Sequence, residues 1–176
     1  MEQNTFSQQV HAGYHSLPQP DELTTREKED AMGAYLMMFA ALAAGLPLPI
    51  INLIAAVIYY FVNKSKSRFV RFHSLHSLYA QIPTTIMNAA LVFWTVRNLV
   101  SCGESFSCFD DFYIGYFWTV VIANILYFVF SIIAAVKARK GQFYYFIFFG
   151  KLTYEQVYRI IEGEGEKQQA VNKPPV

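Results

Sequence analysis

At 176 residues the chain is long enough for one domain, and its 54% hydrophobic and 15% charged content lies outside the usual range of a soluble one. A net charge of +1, with basic residues scattered at the edges of apolar runs, excludes a general nucleic-acid binder, which needs a concentrated basic face. Between Ala31 and Tyr154 the only acids are Glu104, Asp110 and Asp111, so nearly all the negative charge sits in the tails.

Residues 1–23 lack the basic start and short apolar core of a secretory signal, and they read as a disordered cytoplasmic tail. Thr24 and Glu27 then have capping-box spacing, which opens a helix. The run from Ala34 to Val62 is free of charge. As one helix it would measure about 44 Å, too long for a single untilted crossing. Pro47 and Pro49 interrupt it within "GLPLP", so two spans joined as a short hairpin are expected, with a single kinked helix as the alternative.

Ile82 to Val100 is the third expected span, with Arg97 able to snorkel at its end, and Phe112 to Val136 is the fourth. Asn88 and Asn124, with Thr84, Thr85 and Ser131, are polar groups that favour a neighbouring helix over lipid. Helix packing is the plainer reading of the two asparagines; a transport path is the sharper one. The fold class expected is an all-α polytopic membrane bundle of four transmembrane helices over residues 24–152. An amphipathic helix at 153–162 and a disordered tail at 163–176 follow. That helix rests on a Thr153–Gln156 capping box and on Tyr154, Val157, Tyr158 and Ile161 sharing one face.

Basic residues near span ends stay cytoplasmic. Lys64, Lys66, Arg68 and Arg71 follow the second span, and Lys137, Arg139 and Lys140 follow the last, whereas the loop between the third and fourth is acidic. Four spans therefore place both termini in the cytoplasm of a bacterial inner membrane. Three spans would export the N-terminus. The acidic loop holds Cys102 and Cys108, which are expected as a disulfide or as free thiols; a metal pair with Glu104, Asp110 and Asp111 is the alternative.

His73 and His76 are three apart, so on a helix they share a face with Phe69 and Ala80, with Phe72 and Tyr79 alongside. A metal site would need further ligands, and none lies near on the same side of the membrane. The expectation is an interfacial helix leading into the third span, its aromatics in lipid or bundle and Arg68 and Arg71 at headgroups. No phosphate loop, nucleophile elbow or pair of intramembrane carboxylates is present, so neither an enzyme nor a cofactor is expected.

The stretch "SRFVRFHSLHSLYAQ", with Phe69, Arg71, Phe72, His73 and Gln81, and the later "KGQFYY" resemble a bacterial family of small four-span membrane proteins of unknown function. That family is similar to the plastid inner-envelope protein-import (Tic) channel component, and the resemblance covers residues 24 to 152. It departs at His76 and Ser77, where the family has Gln-Ala. The resemblance implies a membrane fold and a link to protein translocation, with no catalytic residue. The function expected is a non-enzymatic translocation-channel subunit or membrane scaffold, with a small-solute transporter as the alternative. Its partners would be the lipid bilayer and other membrane proteins or copies of itself.

Overall fold

A computed structural model describes residues 14–39, 49–102, 109–146 and 149–160. They form α1 (Thr25–Leu36), a 3-10 turn (Met37–Phe39), α2 (Pro49–Asn63), α3 (Arg68–Cys102), α4 (Asp111–Arg139) and α5 (Phe149–Tyr158). Among the described residues the only β-type pairing is an isolated bridge between Tyr14 and Arg159.

α1 begins at the capping box expected from its sequence: Thr24 accepts from the Glu27 amide, and the Glu27 carboxylate accepts from the Thr24 amide and hydroxyl. The chain then reverses, because Lys66 after α2 pairs with Asp30 at 2.7 Å and the Tyr59 hydroxyl donates to the Asp30 carbonyl at 2.7 Å. A single kinked helix would have carried these groups to opposite ends. The residues before Pro49 in "GLPLP", the expected turn, lie outside the described residues.

α3 does not start at Ile82, where the third span was expected, but runs unbroken from Arg68, with Pro83 inside it. Pro83 withholds an amide from the carbonyl four residues back without ending the helix. α4 starts at Asp110, whose side chain accepts from the Tyr113 amide at 2.9 Å. It ends in a Schellman turn: the Gly141 and Gln142 amides donate to the Ala138 and Lys137 carbonyls, and Gly141 takes φ 75°. This left-handed residue sends segment 142–146 back across the bundle.

The core lies where α1, α3 and α4 meet. Ala31 and Tyr35 of α1, Phe69 of α3, and Ala134, Ala135 and Ala138 of α4 are buried together. Small residues on α1 and α4 let the backbones approach closely. A second cluster joins Phe72 and Leu75 to Val157 and Tyr158 of α5. Residues 14–23, part of the expected tail, run past α5: Tyr14 stacks on Tyr154, and the His15 amide donates to the Tyr158 carbonyl. α5 begins at Phe149, before the expected capping box; Thr153 sits inside it and donates to the Phe149 carbonyl.

Among the described residues one helix, α4, is long and apolar enough to cross a membrane, where four were expected. α2 measures only about 22 Å, and the apolar half of α3 is diluted by Thr84, Thr85, Asn88, Arg97 and Asn98. Only 22% of the most apolar stretch of α4 is buried, whereas the core helix of a soluble protein is mostly covered. Exposed Ile54, Ile58, Ile86, Phe93, Trp118 and Ile125 extend the same outward apolar surface over three helices. The molecule is a helical, membrane-associated protein.

Candidate functional site

The most unusual polar group in the core is the pair His73 and His76, both wholly buried. α3 sets them on one face, α1 brings Tyr35 between them, and the Gly141 turn lays segment 142–146 over the top. The Tyr35 hydroxyl contacts His73 Nδ1 at 2.9 Å and His76 Nδ1 at 3.0 Å, and the Phe146 amide donates to His76 Nε2 at 3.1 Å.

These bonds fix the proton positions. His76 Nε2 accepts, so the neutral ring carries its proton on Nδ1 and donates it to the Tyr35 oxygen. Tyr35 then donates its own proton to His73 Nδ1, which leaves the His73 proton on Nε2. That nitrogen is buried and has no hydrogen-bond partner among the described residues. Phe69 at 4.4 Å and Phe72 at 5.2 Å between ring centroids stand edge-on to His73, and Phe143 stacks on it at 5.7 Å. His76 is sandwiched by Phe72 and Phe146 at 5.4 and 4.7 Å. The result is a directed chain of hydrogen bonds in an aromatic box, joining α1, α3 and the segment after α4.

As a metal site the pair is poorly disposed. Both Nδ1 atoms face the same hydroxyl, and among the described residues no group of three or more His, Cys, Asp or Glu converges. Neither histidine lies at a lipid surface, because Tyr35, Phe143 and Phe146 cover the face that the sequence alone left open. Tyr35 and Phe146 were missed: Tyr35 is 38 residues from His73, inside an apolar run where a tyrosine looks like an interfacial aromatic. The usable signal was the glycine after the last span followed by "QFYYF", a chain reversal with an apolar return.

Of the basic residues singled out from sequence, Lys66 pairs with Asp30, Arg68 donates to His15 Nε2 at 3.1 Å, and Lys64 lies over the Phe61 ring at 4.8 Å. Arg71 is half-buried, with no hydrogen-bond partner for Nε among the described residues. Lys64, Lys66, Arg68, Arg71, Phe69 and Tyr158 all border one cavity of about 550 Å³. At mid-bundle, Asn88 and Asn124 exchange two hydrogen bonds of 3.0 and 3.1 Å, and each spends its other amide hydrogen on the carbonyl four residues back. Cys102 closes α3; Cys108 lies outside the described residues, as does Glu104.

No curated protein and no solved structure matches the chain. Residues 29–153 match the magnetosome magnetite crystal formation protein family (MamF_MmsF). The match takes in Tyr35, both histidines, segment 142–146 and the asparagine pair. This is a family of non-catalytic bacterial membrane proteins, and the chain is not an enzyme. The finding corrects the Tic-like resemblance: the aromatic and histidine stretch is part of a helix-packing core, so its motif carries no information about translocation. The chain belongs to the magnetosome magnetite crystal formation protein family, and the import-channel role is withdrawn with the resemblance that implied it.

Proposed function

We propose that the chain is a structural component of the membrane that surrounds a forming magnetite crystal, acting by its shape and helix packing rather than by chemistry. The observation that carries this reading is the family match across residues 29–153, the same residues that build the sealed histidine box and the asparagine clasp. Apart from His73 Nε2, the polar groups of the box and the clasp are spent on one another or on backbone, and the outer surfaces are apolar, which suits a part that holds a bilayer in a set arrangement.

In this reading the four spans are those expected from the sequence: the two arms of the Pro-broken run over residues 34–62, then residues 82–100 within α3, and residues 112–136 within α4. The start of α1, the α2–α3 turn and the end of α4 meet at one end through the Lys66–Asp30 and Arg139–Glu29 pairs, at 2.7 and 2.6 Å. That end, with both termini, is cytoplasmic. Asp110, Asp111 and the two cysteines then face the other side, where a Cys102–Cys108 disulfide would form. Deleting the chain from a magnetite-forming bacterium should change the number, size or shape of crystals seen by electron microscopy. Restoring the chain should reverse this. Crystals indistinguishable from those of the parent would sink the reading.

A further inference from the structure

The cavity of about 550 Å³ beside the α2–α3 turn is a separate feature from the histidine box and has the size of a small-ligand site. Lys64, Lys66, Arg68 and Arg71 border it, against Glu22 and Glu27. Lys66 is matched by Asp30 at 2.7 Å. The two acids are already engaged, Glu22 by the Gln19 amide at 2.8 Å and Glu27 by Thr24. No carboxylate among the described residues forms an ion pair with Lys64, Arg68 or Arg71, and four bases against the carboxylates of Glu22, Glu27 and Asp30 leave a surplus of one positive charge.

Two residues that line this cavity each carry a buried donor without a partner among the described residues. Arg71 Nε is one, and the hydroxyl of Tyr158 is the other, on a side chain that is wholly buried. An unsatisfied buried polar group is costly, so two on residues that line one cavity point to an acceptor that both would reach once their side chains shift toward it. Burial raises the Tyr158 pKa, which keeps the hydroxyl protonated and able to donate. Ser67, Arg68 and Phe69, the start of α3, also line the cavity and add the positive end of a long helix.

We infer that this cavity binds a phosphate group, held by Arg71 and Tyr158 and attracted by Lys64 and Arg68. A phospholipid headgroup and a soluble phosphate ester share that chemistry. The inference stands apart from the magnetite reading, since it rests on the cavity alone.

The test uses the full chain in phosphatidylcholine nanodiscs with and without phosphatidylglycerol. Native mass spectrometry reads retained lipid, and glycerol 3-phosphate serves as the soluble competitor. Wild type should retain phosphatidylglycerol stoichiometrically or bind glycerol 3-phosphate. Arg71→Gln should weaken binding about tenfold, Arg71→Lys nearly as much because the planar fork is lost, and Tyr158→Phe about threefold. Tyr158→Phe should leave the delipidated protein at least as stable, since it removes an unpaired hydroxyl while keeping the ring. Lys140→Gln, outside the cavity, should change nothing. Displacement of lipid by glycerol 3-phosphate assigns the site to soluble phosphates, and lipid retention that resists it assigns the site to the headgroup. No binding of either probe, or losses equal in Lys140→Gln and Arg71→Gln, overturns the inference.

Discussion

Tyr35 carries more of the packing logic than any other single side chain, because one hydroxyl serves two buried imidazoles. Tyr35→Phe would keep the ring and strand His76 Nδ1–H and His73 Nδ1 together. At about 1–3 kcal/mol for each orphaned group, the loss should be roughly 2–4 kcal/mol, read from denaturant unfolding in mild detergent. A loss under about 0.5 kcal/mol would mean that water or a rotated imidazole replaces the hydroxyl. Glu27 gives a pH-dependent counterpart at the surface. Burial raises its pKa, yet hydrogen bonds from the Thr24 amide and hydroxyl and from Ser67 outweigh it, and the net position is below the ordinary 4.5. A folded pKa below the unfolded one means stability that is present above the unfolded value and is lost as pH falls through the folded one. Thr24→Ala should therefore cost about 1 kcal/mol at neutral pH, and the gap to wild type should narrow once Glu27 protonates. An unchanged gap in acid would show that the capping box adds nothing through its carboxylate.

The helices meet at contacts that tolerate little change. At Gly33 an added Cβ would lie 2.5 Å from the Tyr59 hydroxyl, the atom that joins α2 to the Asp30 carbonyl of α1. Alanine gains about 1 kcal/mol of helix propensity there, but overpacking costs about 1–3 kcal/mol and displaces that bond. Gly33→Ala should be net destabilising, and Gly33→Ala combined with Tyr59→Phe less so than the two single changes predict; strict additivity would show that the ring simply moves aside. Asn88 and Asn124 make the equivalent clasp between α3 and α4. Either Asn→Leu alone leaves an unpaired amide, whereas both together remove the pair, so a double-mutant cycle should give about 0.6–1.7 kcal/mol of coupling. Part of this level was legible in the sequence: the Thr24 cap and the apolar course of α2 and α4. What was not legible depends on long-range return of the chain. Nothing in the spacing of His73 and His76 says that Tyr35 and Phe146 will enclose them, and α3, continuous through Pro83, packs against α1, α2, α4 and α5, contacts that local propensity does not encode. The family motif misled for a related reason. Aromatic and histidine residues chosen for burial look, in sequence, like those chosen for an interface.

At the scale of the whole molecule the open property is direction. The Lys66–Asp30 and Arg139–Glu29 pairs gather at one end of the bundle, with the latter on side chains 45% and 51% exposed. Exposed pairs are worth about 0–1 kcal/mol, so they record which ends meet without deciding how the bundle sits in a membrane. In the four-span reading proposed above, orientation would be set instead by Lys64, Lys66, Arg68 and Arg71 after α2 and by Lys137, Arg139 and Lys140 at the end of α4, since lysine and arginine near span ends resist translocation. Four crossings, as proposed, would return both termini to the basic end. Reporter tags at either terminus should therefore be protected or exposed together, on the cytoplasmic side, in sealed inside-out and right-side-out vesicles. A cysteine-reactive, membrane-impermeant probe applied from outside should reach the Cys102 end after reduction and fail to reach a cysteine placed at Ser65. Tags on opposite faces would establish an odd number of crossings, and would move the cavity at Arg71 and the acidic end at Asp110 to sides other than those assigned to them.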